Sequence, residues 1–239
     1  MGIDYTKRPK AQPPQPPTQP PSAPPAPPAP SQSQQPPAQP ISLSKITLTK
    51  SAPSISLSKQ GATTGQVRVN LNWTTNASGG GLFRKAKGID LDLAAMWEFT
   101  DGSKGIVQAL GNSFQAPRQG KPVIYLDGDD RSGKGGENMF IDLSATNQIR
   151  RILIFAYIYE GTPNWATANG VVTLYPASGP EIEVRLDEAD QSAISCAIAL
   201  LENRGGELVV NREVRYIRGA QDKVDEAYGW GMNWRGARK

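Results

Sequence analysis

The sequence predicts an all-β fold: an antiparallel β-sandwich with one or two short helices, preceded by a disordered proline-rich tail. Apolar and polar residues alternate in many short segments, which is the pattern of strands with one buried face. Turn-forming residues separate these segments, and no G-x-G-x-x-G unit indicates alternating β and α elements. The chain has 239 residues, of which 38% are hydrophobic, so a sizeable core can form.

Residues 9–40 consist almost entirely of Pro, Gln, Ala and Ser and show no hydrophobic periodicity. Such a segment cannot bury enough apolar surface to offset the entropy of ordering it, and it favours extended polyproline II. We therefore predict a disordered tail at 1–40 and a folded domain at 41–239. Its P-x-x-P frames, such as Pro13 to Pro16, could bind a partner domain, although a plain spacer is the alternative.

The predicted domain opens with alternating strands. The pentapeptide Ile-Ser-Leu-Ser-Lys occurs at 41–45 and again at 55–59, with a turn expected at Ala52-Pro53. The segment 151–159 is apolar at nearly every position, which predicts a central strand covered on both faces. A hairpin turn is expected at Arg204-Gly205-Gly206 and a short helix at 221–228. Further strands are predicted at 67–73, 104–110, 122–126, 138–143, 170–175, 182–186, 193–202 and 207–216.

Composition limits the partners and the metal chemistry. The net charge of +4 arises from 26 basic and 22 acidic residues, which is small for a protein that follows a phosphate backbone, so no nucleic acid is expected. One cysteine and no histidine exclude a thiolate or imidazole metal site, so any metal must bind through oxygen.

The sequence predicts a cytoplasmic location. It contains neither an apolar run of about 18 residues nor the apolar region of a signal peptide. Residues 1–6 fit the loose N-myristoylation pattern M-G-x-x-x-[ST], with Lys7 and Arg8 following. Peripheral association with a membrane therefore stays open.

The loop at 125–138, YLDGDDRSGKGGEN, allows two interpretations. Gly128 to Lys134 fits the phosphate-loop pattern G-x-x-x-x-G-K, but the next residue is Gly135 instead of Ser or Thr. Asp129 and Asp130 would also stand where phosphate binds, and no helix is expected after the loop. An EF-hand is excluded too, because its spacing of glycine and glutamate is missing.

Calcium fits the acidic residues better. Asp90 and Asp92 alternate with apolar residues on one strand, where two carboxylates on one face repel unless a cation joins them. The loop contributes Asp127, Asp129, Asp130 and Glu137, and its glycines allow turns that direct carbonyls inward. Calcium needs six to eight oxygen ligands, usually from separate segments, so we predict a Ca²⁺ site between the strand and the loop.

The order of these segments resembles the TerD-domain family of bacterial tellurium-resistance and stress proteins, and most closely its TerA-like branch. The resemblance spans roughly residues 41–235 and rests on ISLSK, GIDLDL, the loop LDGDDRSGKGGEN, RRILIFAYIYEG and the stretch from EVRLDEAD to REVRYI.

The resemblance implies a β-sandwich that binds calcium between an acidic strand and an acidic loop. It matches Asp90 and Asp92 to the strand, Asp129, Asp130 and Glu137 to the loop, and Asn112 to a nearby asparagine. The loop carries fewer acidic residues than the family pattern. The resemblance therefore does not decide whether one or two calcium ions bind. Implied partners are other stress or tellurium-resistance proteins, or a membrane-associated complex.

The function that follows is a non-enzymatic calcium-binding protein for stress response and tellurium resistance, acting as a metal-stapled binding module in a larger complex. The alternative is a metal-dependent transferase or hydrolase using Asp90 with Asp92 and Asp129 with Asp130. No histidine is available as a base, and Cys196 lies in an apolar run typical of a core thiol.

Overall fold

The computed structural model describes residues 45–74, 89–128, 135–161, 163–187, 190 and 192–234. The predicted tail at 1–40 lies outside these residues, so its disorder and the domain boundary at residue 41 stay predictions. Asp129, Asp130 and Lys134 also lie outside them.

The described residues form two sheets of short strands. The strands are β1 Lys45–Thr47, β2 Ser54–Ser56, β3 Gln66–Asn72, β4 Asp90–Phe99, β5 Lys104–Val107, β6 Gln115–Ala116, β7 Ile124–Leu126, β8 Glu137–Asp142, β9 Ile149–Glu160, β10 Gly170–Pro176, β11 Glu181–Leu186, β12 Ser195–Arg204 and β13 Glu207–Ile217. The seven-stranded sheet has the order β1-β11-β10-β3-β8-β7-β6, and the six-stranded sheet has the order β2-β13-β12-β9-β4-β5. The predicted sandwich is confirmed.

The core lies between the two sheets. On β3 the alternation buries Val67, Val69 and Leu71, while on β9 Ile152 and Ile154 face them from the other sheet. The intervening residues of β3 stay at the opposite face. The period-two pattern therefore sets which side chains enter the core, because successive residues of a strand point to opposite faces.

The central strand is covered on both faces, as the sequence predicted. A second cluster on the outer side of the six-stranded sheet contains Leu153 and Phe155 of β9 together with Trp230. The described residues include two α-helices, α1 Trp165–Ala168 and α2 Gln221–Tyr228, with α2 covering the predicted range. Helix α2 and the segment after it form the outer cover.

A buried carboxylate holds the segment after α2. Asp225 is 4% exposed and accepts hydrogen bonds from the backbone N–H of Gly231 (2.6 Å) and Met232 (2.8 Å) and from Trp234 Nε1 (2.8 Å). Arg151 lies 3.8 Å above the Trp230 ring and donates to the Tyr228 carbonyl at the end of α2. The aromatic residues of this segment therefore pack against the domain.

Three details differ from the sequence predictions. The pairing is mixed, because β1 runs parallel to β11. The segment 55–59 is strand only to Ser56, after which a 3-10 helix at Ser58–Gln60 ends at Gly61, whose φ is +90°. The strand predicted at 104–110 ends at Val107, and a 3-10 helix follows at Leu110–Asn112, where Gly111 and Asn112 have positive φ.

Helix α1 was not predicted. Asn164 caps it by accepting a hydrogen bond from the Thr167 N–H (3.3 Å), and Asn169 ends it with a φ of +46°. The sequence signal is the pair of asparagines around Trp-Ala-Thr-Ala, which suits a single helical turn. Among the described residues, no helix has the length and apolar character needed to cross a membrane.

An acid-sensitive ion pair attaches the edge strand β1. Glu183 on β11 is 3% exposed and binds Lys45 of β1 and Arg185 (2.9 Å). Burial alone would raise the pKa of Glu183, but the hydrogen bond and charge of Lys45, with the charge of Arg185, hold that pKa below its ordinary value. The lowered folded-state pKa adds stability above about pH 4.5, and that stability is lost as pH falls through the folded-state pKa.

Glu183→Gln is therefore expected to destabilise the protein at neutral pH by about 1 kcal/mol, because both cations are partly exposed and their charges are screened. The difference from the unmodified protein should disappear in acid. Urea unfolding at several pH values checks this expectation, and a difference that does not shrink as pH falls below about 4.5 would contradict it.

Candidate functional site

One buried carboxylate connects the two sheets. Glu137 shares an orientation on β8 with Met139 and Ile141, so it points into the core, where it is 2% exposed. Its Oε2 accepts a hydrogen bond from the Leu93 N–H of β4 at 2.5 Å. Strand β5 pairs with β4 only from Ala95 onward, so Leu93 lies beyond the end of β5. The Glu137 carboxylate therefore accepts the hydrogen bond of the Leu93 N–H, which in a longer β5 would go to a backbone carbonyl.

The predicted acidic pair occupies the same end of β4. Asp92 is 1% exposed and is the residue before Leu93, while Asp90 is half-buried at the first position of the strand. Opposite them the β9 register shifts, because Asp90 pairs with Glu160 but Leu91 pairs with Ile158. Asp92 precedes Leu93, and by the strand alternation its side chain lies on the face of Ala94 and Met96, opposite the core face of Leu93.

The loop that carries the remaining predicted ligands is the connection of the β7–β8 hairpin. Asp127 is exposed, and its N–H donates to the Asn138 carbonyl (3.0 Å), which extends the ladder by one step beyond Leu126. Asp129 and Asp130 follow within the loop, outside the described residues. Glu137 is the first residue of β8. The loop therefore begins after Asp127 and ends at Glu137.

Asn112 lies on an exposed turn between β5 and β6, at the end of the 3-10 helix Leu110–Asn112. Its φ of +55° is a backbone conformation that asparagine tolerates better than most residues. The Leu126 N–H donates to the Phe114 carbonyl (2.8 Å), which joins the segment after this turn to β7.

Of the predicted ligands that the structure describes, two carboxylates are buried, Asp92 and Glu137. Within 45–74, 89–128 and the other described ranges, no group of three or more Asp, Glu, His or Cys side chains could hold a metal ion. The buried carboxylates Asp92 and Glu137 are hard oxygen donors of the kind that calcium prefers. Each fits calcium by its donor chemistry, and further oxygens such as those of Asp129 and Asp130 would have to complete a site.

Sequence analysis missed a polar network that holds the end of the loop. Asn70 of β3 is 9% exposed and donates through Nδ2 to the Gly135 carbonyl (3.1 Å) and to Asn138 Oδ1 (2.9 Å). Arg68 also donates to Asn138 Oδ1 (3.1 Å) and stacks on Tyr175. The sequence signal is limited to polar residues in the alternation of β3, which does not reveal their partner strand.

A groove with a cavity volume of about 940 Å³ lies elsewhere, beside β5. Trp97, Met232 and Trp234 contribute to its wall, and Gln221 donates to Gln108 (3.1 Å) in its lining. Asp222 is the one carboxylate among its described lining residues. The groove therefore lacks the carboxylate pair that the hydrolase alternative requires.

The tellurium resistance protein TerA of an Alcaligenes species is 46% identical to this chain over 200 residues, which cover 81% of the chain. The predicted relationship to the TerA-like branch of the TerD-domain family is confirmed. This chain spans 58% of the length of the Alcaligenes protein. No family model matches the chain.

A solved structure of a homologue of the telluride resistance protein TerD, from Streptomyces coelicolor, aligns with a TM-score of 0.45 at 20% identity. The alignment covers 65% of this chain and 92% of that one. The family relationship of this chain therefore rests on its sequence identity to the Alcaligenes protein, and the structural alignment adds nothing to it.

Proposed function

We propose that this chain is a calcium-binding protein of tellurium resistance and stress response, without enzymatic activity, in which the ion staples the loop at 128–136 to β4. The supporting observation is the position of Glu137. This buried carboxylate ends the loop and reaches across to the Leu93 N–H of β4.

The physical argument is the high free-energy cost of buried carboxylates. Asp92 and Glu137 are almost inaccessible to water, and burying such charges is unfavourable unless cations or hydrogen bonds compensate. A calcium ion bound by Asp92, Glu137, Asp129 and Asp130 would add to the contacts that Asp92 and Glu137 already make within the protein. Magnesium suits such a site less, since it requires a smaller octahedral shell and releases water reluctantly.

In this proposal the stapled loop organises one end of the sandwich as a binding surface. The proposed partners are other tellurium-resistance or stress proteins, or a complex at the cytoplasmic side of a membrane. The proline-rich segment at 9–40 would serve as the tether, or bind an aromatic groove of a partner domain. The relationship to TerA supports this role, because that protein is named for tellurium resistance.

The enzyme alternative gains no support from the described residues. The groove beside β5 lacks paired carboxylates among its described lining residues, and Cys196 is fully buried. A non-enzymatic role therefore fits the described site better than a transferase or hydrolase does.

Exchanging the loop carboxylates tests the proposal. Asp129→Asn combined with Asp130→Asn is expected to abolish most calcium binding, because two of the few anionic donors are lost. Lys134→Ala should leave binding unchanged or slightly improved, since it removes a nearby positive charge. Calcium and ATP affinities of these variants are measured with Asp187→Asn, an exposed site on another loop, as the control. Tight ATP binding that depends on Lys134 would instead show a phosphate loop.

A further inference from the structure

We propose that Asn70 and Gly136 form a clamp that positions Glu137 for the cation, and that this clamp sets calcium affinity. This inference rests on the proposed function. It assigns a role to residues of β3 and of the loop end that make no direct contact with the ion in the proposal.

The first part of the clamp is a close backbone approach. Gly136 has a φ of +69° and packs so tightly on β3 that a Cβ there would lie 2.2 Å from the Leu71 carbonyl oxygen. Only glycine fits this position, because any side chain would overlap the backbone and strain the left-handed conformation. The returning chain is thereby pressed against β3 one residue before Glu137.

The second part is the side chain of Asn70. Its amide nitrogen reaches Gly135 on one side and Asn138 on the other, so its two hydrogen bonds bracket Gly136 and Glu137. Asn70 and Asn138 are directly opposed in the β3–β8 register and share the outer face of the sheet. The opposed pair Leu71 and Glu137 points inward. Fixing the outer pair therefore fixes the direction of the Glu137 carboxylate.

The clamp acts on the ion only through the orientation of Glu137. Groups that orient a metal ligand without touching the metal typically change metal affinity by about 10-fold to 100-fold. We expect Asn70→Leu to weaken calcium binding about tenfold. The matched control is Asn72→Leu, the same change on the same strand and face, at an exposed residue.

A readout independent of calcium separates positioning from general destabilisation. The Leu93 N–H donates to Glu137 Oε2, so its hydrogen exchange in the metal-free protein reports the placement of that carboxylate. Asn70→Leu should speed exchange of this amide by about tenfold, the effect of weakening one hydrogen bond. Amides in the middle of β9 should keep their exchange rates.

Asn70→Asp distinguishes the clamp from a simple charge effect. A carboxylate at this position cannot donate to Gly135 or Asn138, so the clamp predicts weaker calcium binding despite the added negative charge. If charge near the ion were the only factor, the same variant would bind calcium more tightly.

The outcomes separate this inference from the function on which it rests. Failure of the unmodified protein to bind calcium overturns the proposed function. Calcium binding by the unmodified protein with equal affinities in Asn70→Leu and Asn72→Leu, or with an unchanged Leu93 amide, overturns the clamp. Selective loss of affinity and faster Leu93 exchange in the Asn70 variants support it.

Discussion

Replacing Gly136 by alanine is expected to lower the free energy of unfolding by about 3 kcal/mol, even without calcium. The new Cβ would lie 2.2 Å from the Leu71 carbonyl oxygen, a distance that real Cβ atoms do not reach. Strand β3 or the loop end must shift, and the positive φ adds strain for any L side chain. The shift also displaces Glu137 from the Leu93 N–H, so calcium affinity should fall as well.

Gly120→Ala is the matched control for this prediction. Gly120 also has a positive φ, of +84°, but no atom lies within 4 Å of a Cβ built on it. Its replacement should cost only about 1–2 kcal/mol, the strain of the left-handed backbone. Chemical denaturation of both variants measures the difference, and equal losses would show that the approach to Leu71 contributes nothing.

Calcium is expected to stabilise the folded protein by about 2.7 kcal/mol when its free concentration is a hundred times the dissociation constant. The gain would arise because the proposed site forms only in the folded chain. Magnesium should give a smaller gain at equal concentration. Thermal melting of the metal-stripped protein with each ion measures both.

Asp92→Asn should remove most of the calcium gain while raising the stability of the metal-free protein slightly. The substitution removes a buried negative charge, whose burial is unfavourable in the metal-free protein. Asp101→Asn, at an exposed turn, is the control and should keep the full calcium gain. An undiminished gain in Asp92→Asn would exclude Asp92 as a ligand.

The sequence predicted the sandwich well because period-two alternation reports directly which face of a strand is buried. Segments such as 67–73 and 182–186 correspond closely to β3 and β11. The alternation does not report strand direction, so the parallel pairing of β1 with β11 was missed. It also cannot show where a strand leaves its partner: β5 ends at Val107, opposite Ala95, although β4 continues to Asp90.

The acidic residues of the candidate site could be proposed from the sequence, but the contacts that hold the loop end could not. Carboxylates in a strand and in a glycine-rich loop suggest an oxygen-ligated cation from their chemistry alone. The role of Asn70 depends on its register opposite Asn138, and sequence spacing does not reveal the pairing of strands 68 residues apart. The same holds for the Glu137 contact with Leu93, which joins two sheets.

Calorimetric titration of the metal-stripped full chain with calcium, and separately with magnesium, tests the central claim most directly. The account predicts saturable calcium binding with a stoichiometry of one or two ions and clearly weaker magnesium binding. The response should be lost in Asp129→Asn combined with Asp130→Asn. Absence of saturable calcium binding, or equal affinity for both ions, would contradict it.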